Sequence, residues 1–317
     1  MIEGIPKISV IVICYKQEEL IKRAINSLLA QKDYIYEICV SDDCSPDRTW
    51  EVLQEYDKQY PGLFKLHRNE PNVGIFENIE YTWTMPTGDI IYQLAGDDEC
   101  GEGWFKTVIE YIQNNHIDYK NELFCIYGDY KCVYPNGDSF RYSQSYAKKN
   151  KDLVRLYERG FICNRSSCYS VNVLKKFIKV SRGRSFMVEN AMDLQVHLFS
   201  KRAYYIHWVG NLYYARVGVS ANMSSERIQE HEKTMVYAFD FLRSVSYNIH
   251  KNDIYLPDYN ISKKKFHNHK TLKNLCNLIW CYVRVIDIDF LFNKNVVNMI
   301  LFGFLRKSKI MHNIRWE

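Results

Sequence analysis

The chain contains no Cys-x-x-Cys. Its 10 cysteines are scattered, and the nearest pairs, Cys39/Cys44, Cys163/Cys168 and Cys276/Cys281, each have four residues between them. That spacing excludes a zinc ribbon or a redox dithiol. Thiols dispersed through apolar, strand-like stretches behave as small apolar side chains and predict a reducing compartment. No apolar run reaches the ~20 residues of a membrane-crossing helix. Residues 275–305 are strongly apolar, but Arg284, Asp287, Asp289 and Lys294 interrupt them. No secretory leader is visible, since residues 1–6 are polar and the apolar run at 8–13 is too short for a signal core, so a cytoplasmic location is expected. Without export, the sequons at Asn164 and Asn222 carry no weight. No Gly-rich turn with a basic residue follows the first strand, which argues against the triphosphate site of a sugar nucleotidyltransferase. Gly101-Glu-Gly103 lacks the spacing of a dinucleotide loop, and His231-Glu232 lacks the second histidine of a zinc protease. Basic residues are dispersed among many carboxylates, which excludes a nucleic-acid surface.

What is present is a strand–helix rhythm. Lys7-Ile-Ser-Val-Ile-Val-Ile-Cys14 is a near-continuous, β-branched apolar run, as in a strand buried on both faces. Tyr15-Lys-Gln-Glu18 reads as a loop. Leu20, Ile21, Ala24, Ile25, Leu28 and Leu29 then recur at helical spacing. A second strand, Tyr36-Glu-Ile-Cys-Val-Ser41, runs into Asp42-Asp43-Cys-Ser45-Pro46, where Ser45 is expected to cap a helix and Pro46 to open it. Leu63-Phe-Lys-Leu-His67 predicts a third strand and residues 75–84 a helix. Asp89-Ile-Ile-Tyr-Gln-Leu-Ala95 predicts a fourth strand. Such alternation implies a parallel sheet with helical crossovers, and ligands then bind beyond the carboxyl ends of the strands. Tyr15, Asp43, residues 72–74 and Asp97-Asp98 all fall at such ends.

Asp97-Asp98 is the most informative pair. Two adjacent carboxylates at a buried strand end are costly to desolvate without a cation. A divalent ion shared with phosphate oxygens, Mg²⁺ or Mn²⁺, is the natural partner; a solvated acidic turn is the alternative.

Ser-Val-Ile-Val-Ile-Cys-Tyr (9–15), Val-Ser-Asp-Asp-Cys-Ser (40–45), Asn72-Val-Gly74, Thr87-Gly-Asp89 and Gly96-Asp-Asp98 together resemble the ordered motif series of family 2 inverting glycosyltransferases. Each motif alone is weak, but five in order and spacing are specific. The resemblance covers residues 6–220 and is strongest before residue 105. It implies a GT-A fold over residues 1–224, a Rossmann-like, mostly parallel α/β sheet flanked by helices, with a helical C-terminal region at 225–317. It also implies a nucleotide-sugar donor contacted by Cys14, Tyr15, Glu18, Asp43, Asn72, Gly74, Asp97 and Arg216. Tyr15 would stack on the base and Asp43 accept its imide N–H, favouring a UDP-sugar. Asp97 would contact the ribose or the water shell of a metal, and Asp98 would ligate Mn²⁺ or Mg²⁺. Arg216, in Tyr213-Tyr-Ala-Arg216, would reach the diphosphate, while Gly218 replaces the family histidine.

An inverting transfer needs a base. The family's aspartate precedes an amphipathic helix, here Leu194-Gln-Val-His-Leu-Phe199, but its slot holds Ala191. Asp193, nearest the expected helix start, is preferred as base, with Glu189 the other candidate. Asp193 also reads as a carboxylate favoured by the helix dipole. The missing aspartate keeps a second reading open, a catalytically degenerate donor-binding scaffold.

Residues 120–185 are expected to shape the site for a saccharide or lipid-linked glycan acceptor. They include a strand at 123–127, a hairpin turning on Pro135-Asn-Gly-Asp138 and a helix at 150–157. A strand is expected at 204–209 and a long helix at 223–248. The apolar helices after 225, nearby Lys and Arg and a formal net charge of +5 suit the anionic inner face of a membrane. Packing on the catalytic core, or on a second copy in a homo-oligomer, is the alternative.

Overall fold

A computed structural model of the chain describes residues 4–149, 152–158, 162–178, 188–215, 217, 241–245, 262 and 271–285. The chain divides into two compact units, residues 1–231 and 232–317.

In the first unit, β1 (Ile8–Cys14), α1 (Leu20–Leu29), β2 (Glu37–Asp42), α2 (Thr49–Gln59), β3 (Phe64–Arg68), α3 (Ile75–Thr82) and β4 (Ile90–Ala95) alternate as expected. β3, β2, β1 and β4 lie side by side and all parallel. Every residue of β2 is buried, and in β1 only Ile13 is partly exposed. This is why these strands read as unbroken apolar runs rather than as an alternation. One face of α1 (Ile21, Ala24, Ile25, Leu28) closes over them.

Then come β5 (Glu99–Cys100), α4 (Trp104–Asn114), β6 (Phe124–Val133), β7 (Ser139–Tyr142), α5 (Leu153–Glu158), β8 (Ser167–Ser170), α6 (Val171–Leu174), α7 (Val188–Phe199) and β9 (Arg202–Tyr214). β8 joins β4 antiparallel, β6 follows antiparallel to β8, and β9 runs parallel to β6. β5 pairs with β9, and β7 folds back on β6. β3, β2, β1, β4, β6 and β9 therefore point one way and β8, β5 and β7 the other. The result is a mostly parallel mixed α/β sheet flanked by helices. The hairpin turns where expected: the Tyr134 amide donates to the Asp138 carbonyl at 2.8 Å, and Gly137 has φ +85°.

Three boundaries differ from the sequence reading. α2 begins at Thr49, not behind Ser45 and Pro46. The Ser45 amide and hydroxyl both donate to Asp42, and its hydroxyl accepts the Lys16 amide at 3.0 Å, so the side chain is turned to the β1–α1 loop rather than to a first-turn amide of α2. The helix expected at 150–157 is the shorter α5, preceded by a 3-10 turn at Ser145–Lys149, with residues 150–151 outside the described residues. α7 starts at Val188, which places Asp193 in its second turn rather than at its head. Apart from residues 241–245, the long helix expected at 223–248 lies outside the described residues.

In the second unit, α8 (Leu272–Val285) leaves Ile279, Trp280 and Val283 exposed. No helix among the described residues is long and apolar enough to cross a membrane.

Candidate functional site

The register sets the site's level. Ile13 of β1 pairs with Ser41 of β2 on one side and Ala95 of β4 on the other. Tyr15, Asp43 and Asp97 each follow that level by two residues. Neighbouring strands are about 4.8 Å apart, so the three positions lie along one rim.

Strand parity separates Cys14 from Tyr15. The Cys14 thiol is buried and donates to Asp42 Oδ1 at 3.7 Å and the Ser41 carbonyl at 3.8 Å. Burial, with Asp42 adding to it, pushes that thiol well above its ordinary pKa. Cys14 can therefore offer a ligand only its backbone, whereas Tyr15 is 41% exposed. The loop after it is latched to the β2–α2 loop. The Gln17 amide donates to Thr49 Oγ1 at 2.9 Å, the Glu18 amide to Asp47 at 3.3 Å, and the Arg48 amide to Glu18 Oε2 at 3.4 Å. Glu18 thus sits at the junction of both loops.

Asp43 organises the next part of the rim. Its Oδ1 accepts Asn69 Nδ2 at 3.0 Å and the Val73 amide at 2.9 Å; its Oδ2 accepts the Gly74 amide at 2.9 Å. Asn72 Nδ2 donates to the Asp43 carbonyl at 2.6 Å. The buried carboxylate therefore holds the 72–74 segment, whose turn needs a glycine because Gly74 has φ +90°.

Gly96 precedes the acidic pair because a Cβ there would lie 2.1 Å from Gln17 Oε1. Asp97 is half-buried, and burial raises its carboxyl above the usual range against the pull of Arg165 and Arg23. Asp98 is buried. Its Oδ1 accepts the Tyr214 amide at 3.0 Å, and its Oδ2 is 3.9 Å from Arg165 Nη1. Behind the pair, Arg23 donates to the Asp97 carbonyl, meets Glu99 at 3.4 Å and lies 3.6 Å above the Tyr214 ring. Glu99 is turned away to Arg23 and the Tyr214 hydroxyl, which donates to it at 2.9 Å.

No group of three His, Cys, Asp or Glu among the described residues could cage a metal. One or two carboxylates completed by substrate phosphates is instead a usual Mg²⁺ arrangement, and a desolvated Asp97 beside a buried Asp98 fits it.

The two base candidates lie on α7. The Asn164 amide points at Asp193 Oδ2 from 3.4 Å, while the next residue, Arg165, reaches Asp98 and stacks on Tyr213 at 3.7 Å. The Asn164-Arg165 step thus joins the β4 carboxylates to the α7 carboxylate. Glu189 lies one turn before Asp193, with its side chain outside the described residues, as is the whole of Arg216. Arg165 and Arg23 escaped the sequence reading. The available signal was a charged residue within the buried-looking stretch Phe161-Ile-Cys-Asn-Arg-Ser-Ser-Cys168.

Residues 9–178 match the family model "Glycosyl transferase family 2". The chain belongs to that family. An uncharacterized Mycobacterium tuberculosis protein is 27% identical over 164 residues, which is 51% of this chain and 46% of that relative. This family 2 chain therefore matches less than half the length of that curated relative. The Campylobacter jejuni GalNAc(5)-diNAcBac-PP-undecaprenol beta-1,3-glucosyltransferase is 24% identical over 209 residues, covering 66% of this chain and 64% of that one. The crystal structure of residues 1–349 of Staphylococcus aureus TarS in complex with UDP-GlcNAc superposes with TM-score 0.60 at 19% identity, over 87% of this chain and 79% of that fragment. That likeness establishes the GT-A fold.

Proposed function

We propose that the chain is a metal-dependent inverting glycosyltransferase, moving a sugar from a UDP-sugar to a hydroxyl of a saccharide or lipid-linked glycan. The observation that carries this reading is the common level of Tyr15, Asp43 and Asp97, with Asp98 next in the chain, just past the ends of three adjacent parallel strands. Residues 1–224 form the catalytic part in this reading. The exposed Tyr15 ring offers a face to the base. Asp43 already accepts three donors; a carboxylate has about four acceptor positions, which leaves one for the imide N–H of uracil. Asp98, with Asp97 on its water shell or on the ribose, would hold Mn²⁺ or Mg²⁺. When bound, that ion neutralises charge on the departing diphosphate.

The chain's own groups do the rest. Arg165 adds a planar cation suited to phosphate oxygens, close to Asp98. Asp193 takes the acceptor hydroxyl's proton as that oxygen attacks the anomeric carbon. The new C–O bond forms on the face opposite the bond to diphosphate, which breaks and inverts the centre. Glu189 is the alternative base. The acceptor class is supported by the undecaprenol-linked substrate in the Campylobacter relative's name. The exposed Ile279, Trp280 and Val283 of α8, flanked by Lys273 and Arg284, suit the anionic inner face of a membrane. Replacing Ile279 and Trp280 by Ala in the full chain should then halve recovery or worse in flotation with anionic liposomes; unchanged recovery removes the membrane from the account.

A thermal-shift screen of nucleotide sugars with and without Mn²⁺ tests the whole reading. UDP-sugars should raise the melting temperature, and more so with metal. Preference for a cytidine donor, whose ring nitrogen carries no proton to give Asp43, would contradict it.

A further inference from the structure

β7, β6 and β9 put their aromatic residues on one face. Tyr130 pairs with Tyr142 of β7 and Asn211 of β9, and Cys132 pairs with Phe140 and Tyr213. Cross-strand partners share a face, so Tyr213, Tyr130, Tyr142 and Phe140 form one surface. The Tyr130 and Tyr142 rings stack at 5.0 Å, within 9° of parallel, and Phe140 meets Tyr134 edge-on at 5.9 Å. One end of this shelf adjoins the rim described above: Arg165 lies on Tyr213, and the Tyr214 amide holds Asp98. At the other end Phe140 is 50% and Tyr142 43% exposed.

Two neighbouring, half-exposed rings on one face of a short edge strand offer a ligand an apolar surface beside the rim. The edge is also held firmly. On the opposite face, Arg141 of β7 clamps the fully buried Asp129 with both Nε and Nη2 at 2.7 Å, so the shelf is formed before any ligand arrives. Preorganisation of this kind removes an ordering cost from binding. From Tyr213 across β6 to Phe140 is two strand spacings, about 10 Å, room for more than one pyranose ring. A sugar ring has an apolar C–H face for stacking on an aromatic ring and a polar hydroxyl edge.

We propose that this shelf is the acceptor subsite, binding a linear oligosaccharide through the sugars that lie behind the hydroxyl being glycosylated. The inference rests on the glycosyltransferase reading and adds its substrate class: an acceptor of at least two sugar units, its terminal unit beside Asp98 and Arg165 and its inner units over Tyr142 and Phe140.

The test uses the full chain with UDP and Mn²⁺, and glucose and N-acetylglucosamine oligomers of one to four units as probes, with affinity read by ligand-observed NMR. Affinity should rise at least fivefold from one unit to three. The double change Phe140→Ala and Tyr142→Ala should weaken binding of the three-unit probe at least tenfold, with UDP affinity and the circular-dichroism spectrum unchanged; Tyr142→Phe, which keeps the ring, should retain it. If no oligomer binds, if affinity ignores length, or if the double variant binds like the parent while UDP still binds, the shelf is not the acceptor site. Failure of the parent chain to bind UDP would bring down the donor reading, and the shelf with it.

Discussion

The Asn164-Arg165 step links both halves of the proposed chemistry, Arg165 reaching Asp98 and Asn164 contacting Asp193. A guanidinium can give two parallel hydrogen bonds to a phosphate, which an ammonium cannot. Arg165→Ala should therefore weaken UDP binding in Mn²⁺ about tenfold, roughly 1.4 kcal/mol, and Arg165→Lys should recover only part of it, as read by calorimetry. Uridine, which has no phosphate, should bind all three proteins alike; an equal loss for uridine would mean that Arg165 supports the fold rather than the diphosphate. Asp193, the proposed base, would act at a different step. Asp193→Asn should keep UDP affinity within about twofold and lower transfer by roughly a hundredfold or more, the usual range for a removed general base. Full transfer activity would pass the role to Glu189. The sequence marked Arg165 only as a charge in a buried-looking stretch; the partners of Arg165 and Arg23 were not legible, because they lie on strands and turns far along the chain. Tyr15, Asp43 and Asp97-Asp98 were legible, because each follows directly on a strand whose apolar run fixes where it ends.

At the scale of elements, what was readable depended on burial. β1, β2 and β4 are covered on both faces, so their composition alone announced them. β5 has two residues and exists through its pairing with β9, which no local pattern records. The α2 start was misread because the Ser45 hydroxyl is directed at Asp42 and the Lys16 amide, an orientation that propensity does not contain. β5 depends on Gly101, where a Cβ would lie 1.9 Å from the Val209 carbonyl oxygen, a backbone atom that cannot swing aside. At Gly96 the nearest obstacle is the end of the Gln17 side chain, though the Ile13 carbonyl follows at 3.1 Å. Gly101→Ala should consequently cost more stability than Gly96→Ala, roughly 3 kcal/mol or more against 1–2, in urea unfolding. The reverse order would mean that the β5–β9 contact is dispensable.

Across the whole molecule, two buried groups add to the loss of stability in acid. Burial lowers the His197 pKa to about 3; its Nδ1 meets the Tyr127 hydroxyl at 2.7 Å. A neutral imidazole in the fold and an ordinary one in the unfolded chain give a contribution complete above about pH 6.5 and lost as the pH falls toward 3. The slope in that window is about 1.4 kcal/mol per unit. Glu37 acts in the same direction at lower pH. Burial pushes its carboxyl up, but Lys65, Ser9 and Thr87 outweigh burial and hold it below the usual range. Its contribution is present above its unfolded pKa and disappears as the pH falls through the lower folded value. Stability should thus decline from pH 6.5 downward, and His197→Phe should flatten the decline between pH 6.5 and 4.5 in urea midpoints. An unchanged slope would mean that His197 is charged in the fold.

The carboxylate rim as a cation-and-diphosphate site is tested most directly by titrating UDP into the full chain by calorimetry, once with Mn²⁺ and once with EDTA, for the parent and for Asp98→Asn. The parent should bind at least tenfold tighter with the metal, and the variant should bind equally in both solutions. A parent indifferent to Mn²⁺, or a variant that keeps the full metal-dependent gain, would contradict the account.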